Sequence, residues 1–485
     1  MSDVALAWMV LIPLAGAALL GALGSRQSGF SANVAVSLAT LAGASFMTVR
    51  VVQDGSFSSL HHELFVDPLS VFLIDLVAFV SFTTSLFSRS YMRAEVRLGH
   101  LDPARLGTYH AMYQVFIFAM LLALTCNNIG VLWIAMEGAT LSTALLISLY
   151  RTPASLGAAW KYFILCGVGI ALALLGTIMV YFAAHSVLGG HRALLWTDLY
   201  SVKGRLDPAI MAIAFVFLIV GYGTKVGLVP LHAWLPDAHA EGPTPISAVL
   251  SGLLLSVALY AIVRFKALAE GALRTNWPGH LMIGFGLASV LIGAFSLSSQ
   301  RDIKRLFAYS SVEHMGLATF AFGLGGPLAT FAALLHMTAH ALTKSSVFFT
   351  SGAVAQTAGT KDMDGITGLV DRDPALGWTL MASSLAIVGT PPFGIFASEF
   401  LILIAALHKA PWSVPLLLLA LGVAFAVIVR RTQAMVFGAP GASQAPTPRT
   451  LFAPFAHLVL IVILGLAIPH LLAAWYTQAA RLVGP

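Results

Sequence analysis

Charge is what this sequence lacks most: Asp, Glu, Lys and Arg together make up 9% of its 485 residues, against roughly a quarter in a soluble domain. With 58% of the residues hydrophobic, the chain cannot clothe a water-facing surface, and no stretch is left for a sizeable soluble domain. Cysteine is almost missing as well. Cys126 and Cys166 form no CxxC, and an iron–sulfur centre usually needs four thiolates, so the chain is expected to hold no cofactor and to use both cysteines as small packing residues. The formal net charge is +6, yet there is no basic block of the kind that binds nucleic acid, because the cations are scattered over short connections. The opening run, MSDVALAWMVLIPLAGAALL, has no basic flank and reads as a retained first helix, not a signal peptide.

What is present is a series of apolar runs, each near the ~20 residues that cross a bilayer at helical rise. About fourteen spans are expected. They lie near 4–22, 31–52, 68–88, 109–126, 129–150, 159–184, 208–230, 244–265, 279–297, 306–323, 328–355, 376–407, 411–430 and 451–475. The fold class is an all-α membrane protein. Basic residues gather more in the connections after odd-numbered spans, among them Arg26, Arg89, Arg93, Arg97, Lys304, Arg305, Arg430, Arg431 and Arg449. Fewer follow even-numbered spans, among them Arg50, Arg192, Lys203, Arg264, Lys266 and Arg274. That bias puts the odd connections in the cytoplasm and both termini on the opposite, periplasmic side.

Ionisable groups inside a span need a reason, since each costs roughly 2.5–3.5 kcal/mol on insertion scales. Glu137 lies in the fifth span, Lys225 in the seventh, His336, His340 and Lys344 in the eleventh, and Glu399 in the twelfth. Asp75 lies in the third, and Glu313 and His314 open the tenth in SSVEHMG. His336, His340 and Lys344 are each four residues apart, so they share one helix face at about 6 Å per step. Two histidines at that spacing can hold a metal, but no third protein ligand stands beside them and the lysine one turn on repels a cation. A hydrated proton relay fits the pattern and a metal does not.

Two spans are interrupted. Pro230 removes an amide donor and crowds the carbonyl of Val226, so the seventh span opens just after Lys225. Pro391, Pro392 and Gly394 repeat the break just before Glu399. If spans four to eight and nine to thirteen are two units, spans seven and twelve correspond, and Gly/Pro-interrupted spans in matching places point to an ion site. Simple proline kinks are the bland alternative.

The segments TKVGLVPLHAWLPDAHAEGPTPISAVLSG, SQRDIKRLFAYSSVEHMG and HMTAHALTKSSVFF resemble the antiporter-like, proton-conducting subunits shared by respiratory complex I, Mrp antiporters and membrane-bound hydrogenases. Within that family, AEGPTPISAVLSGLLLSVALYAIVRFK and NNIGVLWIAMEGATL look most like component F of hydrogenase-4. The likeness runs over spans four to thirteen. It implies fourteen helices and two inverted five-helix repeats, spans 4–8 and 9–13, each with one broken helix. The corresponding divisions of the chain are 1–108, 109–265, 266–430 and 431–485.

It further implies proton movement along Glu137, Lys225, His336, His340, Lys344 and Glu399, with no cofactor or metal on this chain. Implied partners are other membrane subunits, including further antiporter-like ones, and peripheral nickel–iron and iron–sulfur subunits, in a bacterial or archaeal cytoplasmic membrane. The chain departs from its relatives at Ser256, where they often carry Lys or His on span eight; a hydroxyl can hold a water wire but cannot store charge. The lateral arm of the largest members is not expected either. A cation/proton antiporter and a membrane partner of an inorganic-carbon uptake protein are the alternatives the same resemblance allows.

The chemistry expected of such a site is electrostatic. A carboxylate about 7 Å from Lys225 changes the energy of its charge by roughly 2.4 kcal/mol at an effective dielectric near 20, so moving Glu137 loads or unloads the lysine. Glu137 and Lys225 as one structural ion pair is the competing reading. His232, Asp237 and His239 either line an inlet or sit at the membrane interface, and His314 is a further accessory group. Asp302, Lys304 and Arg305 are expected in a solvated turn or a subunit contact, and Asp75 in a helix-packing hydrogen bond.

Overall fold

The computed structural model describes residues 2–24, 27–439 and 451–483, so Arg26 and Arg449 lie outside the described residues. The chain begins with α1 (Ser2–Leu23) and α2 (Ser28–Asp54), then a small antiparallel hairpin, β1 (Phe57–Ser59) and β2 (Leu64–Val66), with Phe57 opposite Val66. Next come α3 (Pro68–Arg97), α4 (Leu106–Thr125), α5 (Ile129–Ile147), α6 (Pro153–Leu188) and the short α7 (Trp196–Ser201). The centre is built from α8 (Pro208–Val226), α9 (Leu235–Glu241), α10 (Thr244–Val249), α11 (Leu255–Leu273), α12 (Trp277–Leu297), α13 (Ile303–Leu324) and α14 (Gly326–Ala358). After these come α15 (Leu369–Arg372), α16 (Pro374–Ile387), α17 (Gly394–Lys409), α18 (Val414–Phe437), α19 (Phe452–Leu466) and α20 (His470–Val483).

Four helices start with one device. Asp67–Pro68, Thr152–Pro153, Asp207–Pro208 and Asp373–Pro374 each place an oxygen-bearing N-cap before a proline whose missing amide hydrogen costs nothing there. The chain is a nearly all-helical, multi-pass membrane protein. Ten of its described spans are long and apolar enough to cross a membrane, and eleven if α19 and α20, bent by 77°, count as one. Among the described helices, those outside that number are α13 and α14, which carry buried polar side chains, and the short α7, α9, α15, α16 and α17.

The span from Thr244 to Leu273 is one continuous helix in which residues 250–254 form a π-turn, and its most apolar stretch is buried throughout. Against it lie α3, α13 and α14, whereas α2 and α18 are mostly exposed on the outside. This central helix runs eight residues past the expected end at 265, so Arg264 and Lys266 are helical and buried, not loop residues. Arg89, Arg93 and Arg97 likewise belong to α3.

Candidate functional site

Lys225 occupies the last turn of α8 and is fully buried. The helix stops at Val226 because Gly227 takes a left-handed φ of +80°, open to glycine at little cost. The carbonyls freed by the break are met by protein. Thr224 O accepts from the Trp234 indole at 2.8 Å, and Gly223 O from the Leu228 amide at 2.9 Å. At the break the lysine side chain is enclosed by protein.

The Lys225 ammonium donates to the Thr140 hydroxyl and lies 5.6 Å from the centre of the Tyr162 ring. Tyr162 in turn shares a 2.7 Å hydrogen bond with Thr143. Glu137 sits on α5 three residues before Thr140, half-buried, with one carboxylate oxygen that has no partner among the described residues. It acts on Lys225 through space without touching it. Among the described residues Lys225 has no carboxylate within 4 Å, so the structural ion pair is not formed and a threonine holds the ammonium instead. Cys166, expected only to pack, is buried within electrostatic range of both Lys225 and Glu137.

The second cluster is denser. Lys344 is fully buried on α14 and donates to Phe307 O at 2.8 Å. His336 and His340 lie on the same face with nearly parallel rings, 6.5 Å between centroids. His314 from α13 completes a triangle, 5.2 Å from His336 and 5.6 Å from His340. His336 is held from both sides, its Nε2 3.2 Å from His314 Nδ1 and its Nδ1 2.9 Å from Ser398 Oγ. Glu399 on α17 brings Oε1 to 3.9 Å from His314 Nδ1. Its carboxyl packs over Gly389, where a β-carbon would collide with it and where φ is +68°. Each break thus supplies a left-handed glycine next to its charged residue.

Glu313, expected at the opening of the tenth span, belongs to this cluster. It is buried within electrostatic range of Glu399 and Lys344, and one of its carboxylate oxygens has no hydrogen-bond partner among the described residues. Its signal was the same as that of the others: a carboxylate inside an apolar helix.

The accessory residues separate. The Ser256 hydroxyl donates back to Gly252 O of its own helix at 3.4 Å. Ser251 in the π-turn makes the cross-helix contact instead, 2.6 Å to Ser311. His239 on α9 is fully buried, stacked on Phe348 at 5.0 Å, and within electrostatic range of Lys344. The arm after the first break therefore reaches the second cluster. Asp237 is tied at the rim to Lys161 (2.7 Å) and Arg305 (2.9 Å), and half-buried His232 meets the edge of Tyr309. Lys304 is not in a solvated turn: it is buried and caps α9 by donating to Gly242 O at 2.6 Å. Asp75 accepts from Ser45 at 3.3 Å across two helices.

Sequence reasoning missed the pair Asp67–Arg264 altogether. The guanidinium grips both carboxylate oxygens at 2.7 Å and lies over Trp196 (4.4 Å) and Tyr260 (4.9 Å). Asp67 carried no expectation and Arg264 only that of a loop cation, and nothing local joins positions so far apart.

Residues 126–429, which hold both clusters, match the family model described as NADH:quinone oxidoreductase/Mrp antiporter, transmembrane. The chain belongs to this family. A hydrogenase-4 component F homologue from Methylacidiphilum infernorum is 46% identical over 98% of this chain and 99% of its own length, in keeping with the resemblance to component F. Two solved structures share the antiporter-like fold. A chain of the membrane-bound sulfane sulfur reductase, an archaeal respiratory membrane complex, superposes with a TM-score of 0.89 at 24% identity, covering 99% of this chain and 98% of that one. A chain of the Mrp complex from Dietzia sp. DQ12-45-1b superposes with a TM-score of 0.87 at 18% identity, covering 100% and 98%.

Proposed function

We propose that this chain is a proton-translocating membrane subunit of a multisubunit hydrogenase or formate hydrogenlyase-type complex. In this reading it has fourteen spans in the cytoplasmic membrane, both termini periplasmic, and two inverted five-helix repeats that contain the two breaks. Glu137, Lys225, His239, His340, His336, His314, Glu313, Lys344 and Glu399 form the proton axis, and electron transfer belongs to peripheral nickel–iron and iron–sulfur partners. The 46% identity to a hydrogenase-4 component F homologue over nearly the whole chain supports the type of complex.

The observation that carries the translocation reading is the incomplete satisfaction of the buried groups. Glu137, Glu313, Glu399, His239 and His340 each keep a buried nitrogen or oxygen without a hydrogen-bond partner among the described residues. Buried polar groups are nearly always satisfied by protein or ordered water, as Asp67 and Arg264 are; His110, Gln114 and Tyr222, outside the proposed axis, also keep such an atom, and the axis differs in gathering ionisable groups around two buried lysines. Groups that must take up and release protons through water need free positions. Lys225 on Thr140 and Lys344 on a backbone carbonyl are held by neutral oxygens, so neither charge is locked by a fixed counter-ion. Glu137 on one side and Glu313 on the other then set the energy of each lysine from a distance.

The test is proton uptake by vesicles carrying the assembled complex, with Lys225→Ala and Glu137→Ala compared with wild type. Loss of translocation with assembly intact is expected; translocation at the wild-type rate in either variant would sink the proposal. Copurification of nickel–iron and cluster-bearing subunits is expected as well, and small multi-pass partners alone would favour the antiporter alternative.

A further inference from the structure

Away from both clusters, the ends of several helices enclose a cavity of about 650 Å³ whose lining includes Lys203, Lys266, Arg274 and Lys409 against a single carboxylate, Glu270. Lys266 is paired with Glu270 at 2.8 Å. Lys409 donates to Leu324 O and Gly325 O at 3.1 and 2.7 Å, and Lys203 lies 3.7 Å from the centre of the Tyr200 ring. Arg274 is exposed at the end of α11. Among the described residues, Lys203, Arg274 and Lys409 have no carboxylate within 4 Å. By contrast Arg50, Arg192 and Arg264 each pair with an aspartate. Three unneutralised cations around one hollow repel one another and leave a surplus of positive charge that an anion relieves.

Two further observations specify the ligand. Arg274, Thr275 and Asn276 line the cavity immediately before α12, a 21-residue helix whose first turn has no side-chain cap hydrogen bond, with Asn276 Oδ1 lying over Gly279 and Pro278 carrying no amide hydrogen. Trp277 and Trp412 are exposed next to Asn276 and Lys409, the placement of tryptophan at a membrane–water boundary. We propose that this cavity binds the phosphate of an anionic lipid headgroup, with Arg274 and Lys203 supplying the free charges, Lys409 closing one wall and the start of α12 offering backbone donors. The proposal is independent of the translocation reading.

The full chain in nanodiscs tests it, using phosphatidylcholine alone, phosphatidylcholine with phosphatidylglycerol, and phosphatidylcholine with inorganic phosphate. Native mass spectrometry and thermal unfolding are the readouts. A retained phosphatidylglycerol and a raised unfolding midpoint are expected, with retention roughly thirtyfold weaker in Lys203→Gln/Arg274→Gln and unchanged in Lys161→Gln. Arg274→Gln alone, at an exposed position, guards against misfolding of the double variant and should give about a fivefold loss. Equal retention of both lipids, or equal binding by wild type and variants, overturns the site. The same shift with inorganic phosphate and no preference for the anionic lipid overturns the lipid as its source.

Discussion

The two broken helices answer one physical problem with different inventories. At the first, a lysine stands before the break, on a threonine hydroxyl, with a single glutamate acting from α5. At the second, the charged residue follows the break beside His314, in a cluster that also holds two more imidazoles, a second glutamate and a lysine. On the proposed translocation reading, the sparse site would depend on its one cation, while the crowded site would tolerate the loss of a member. The comparison teaches that matching backbone breaks do not impose matching chemistry: the left-handed glycine positions a charge, and the neighbouring helices decide what surrounds it.

The most damaging change should be Lys225→Ala, because the first cluster has no other cation to take its place. Proton uptake by vesicles of the complex is expected to fall at least about a hundredfold, the size of a lost ~3 kcal/mol of charge stabilisation. If Lys225→Ala and His340→Ala are equally harmful, the contrast between sparse and crowded sites is wrong. Arg264→Ala should come next, but in stability: removing one partner of a buried pair leaves Asp67 uncompensated and costs about 3–5 kcal/mol. A lower unfolding midpoint in detergent checks this, with translocation per assembled complex nearly unchanged. That outcome would separate a satisfied buried pair from the unsatisfied axis.

His340→Ala should slow proton uptake only several-fold, since His314 and His336 are 5.2 Å apart and still span the gap. Ser251→Ala breaks a 2.6 Å contact with Ser311 and should cost about 1 kcal/mol. Ser256→Ala, whose hydroxyl only returns to its own helix, should change neither stability nor uptake measurably; a large effect there would restore Ser256 as the link.

Much of this was legible in one dimension. The apolar runs, the Pro and Gly interruptions and the out-of-place charges at Glu137, Lys225, His336, His340, Lys344 and Glu399 are local signals, because burying backbone in lipid forces helices and makes every internal charge costly. What only the tertiary structure decided was who faces whom. It set Thr140 against Lys225, drew Glu313 and His314 into the second cluster, turned the Ser256 hydroxyl back to its own helix and sent His239 across. It joined Asp67 to Arg264 across 197 residues. Helical periodicity fixes a side chain's direction relative to its own axis; its partner depends on how the helices rotate and pack against one another, and no single segment carries that information.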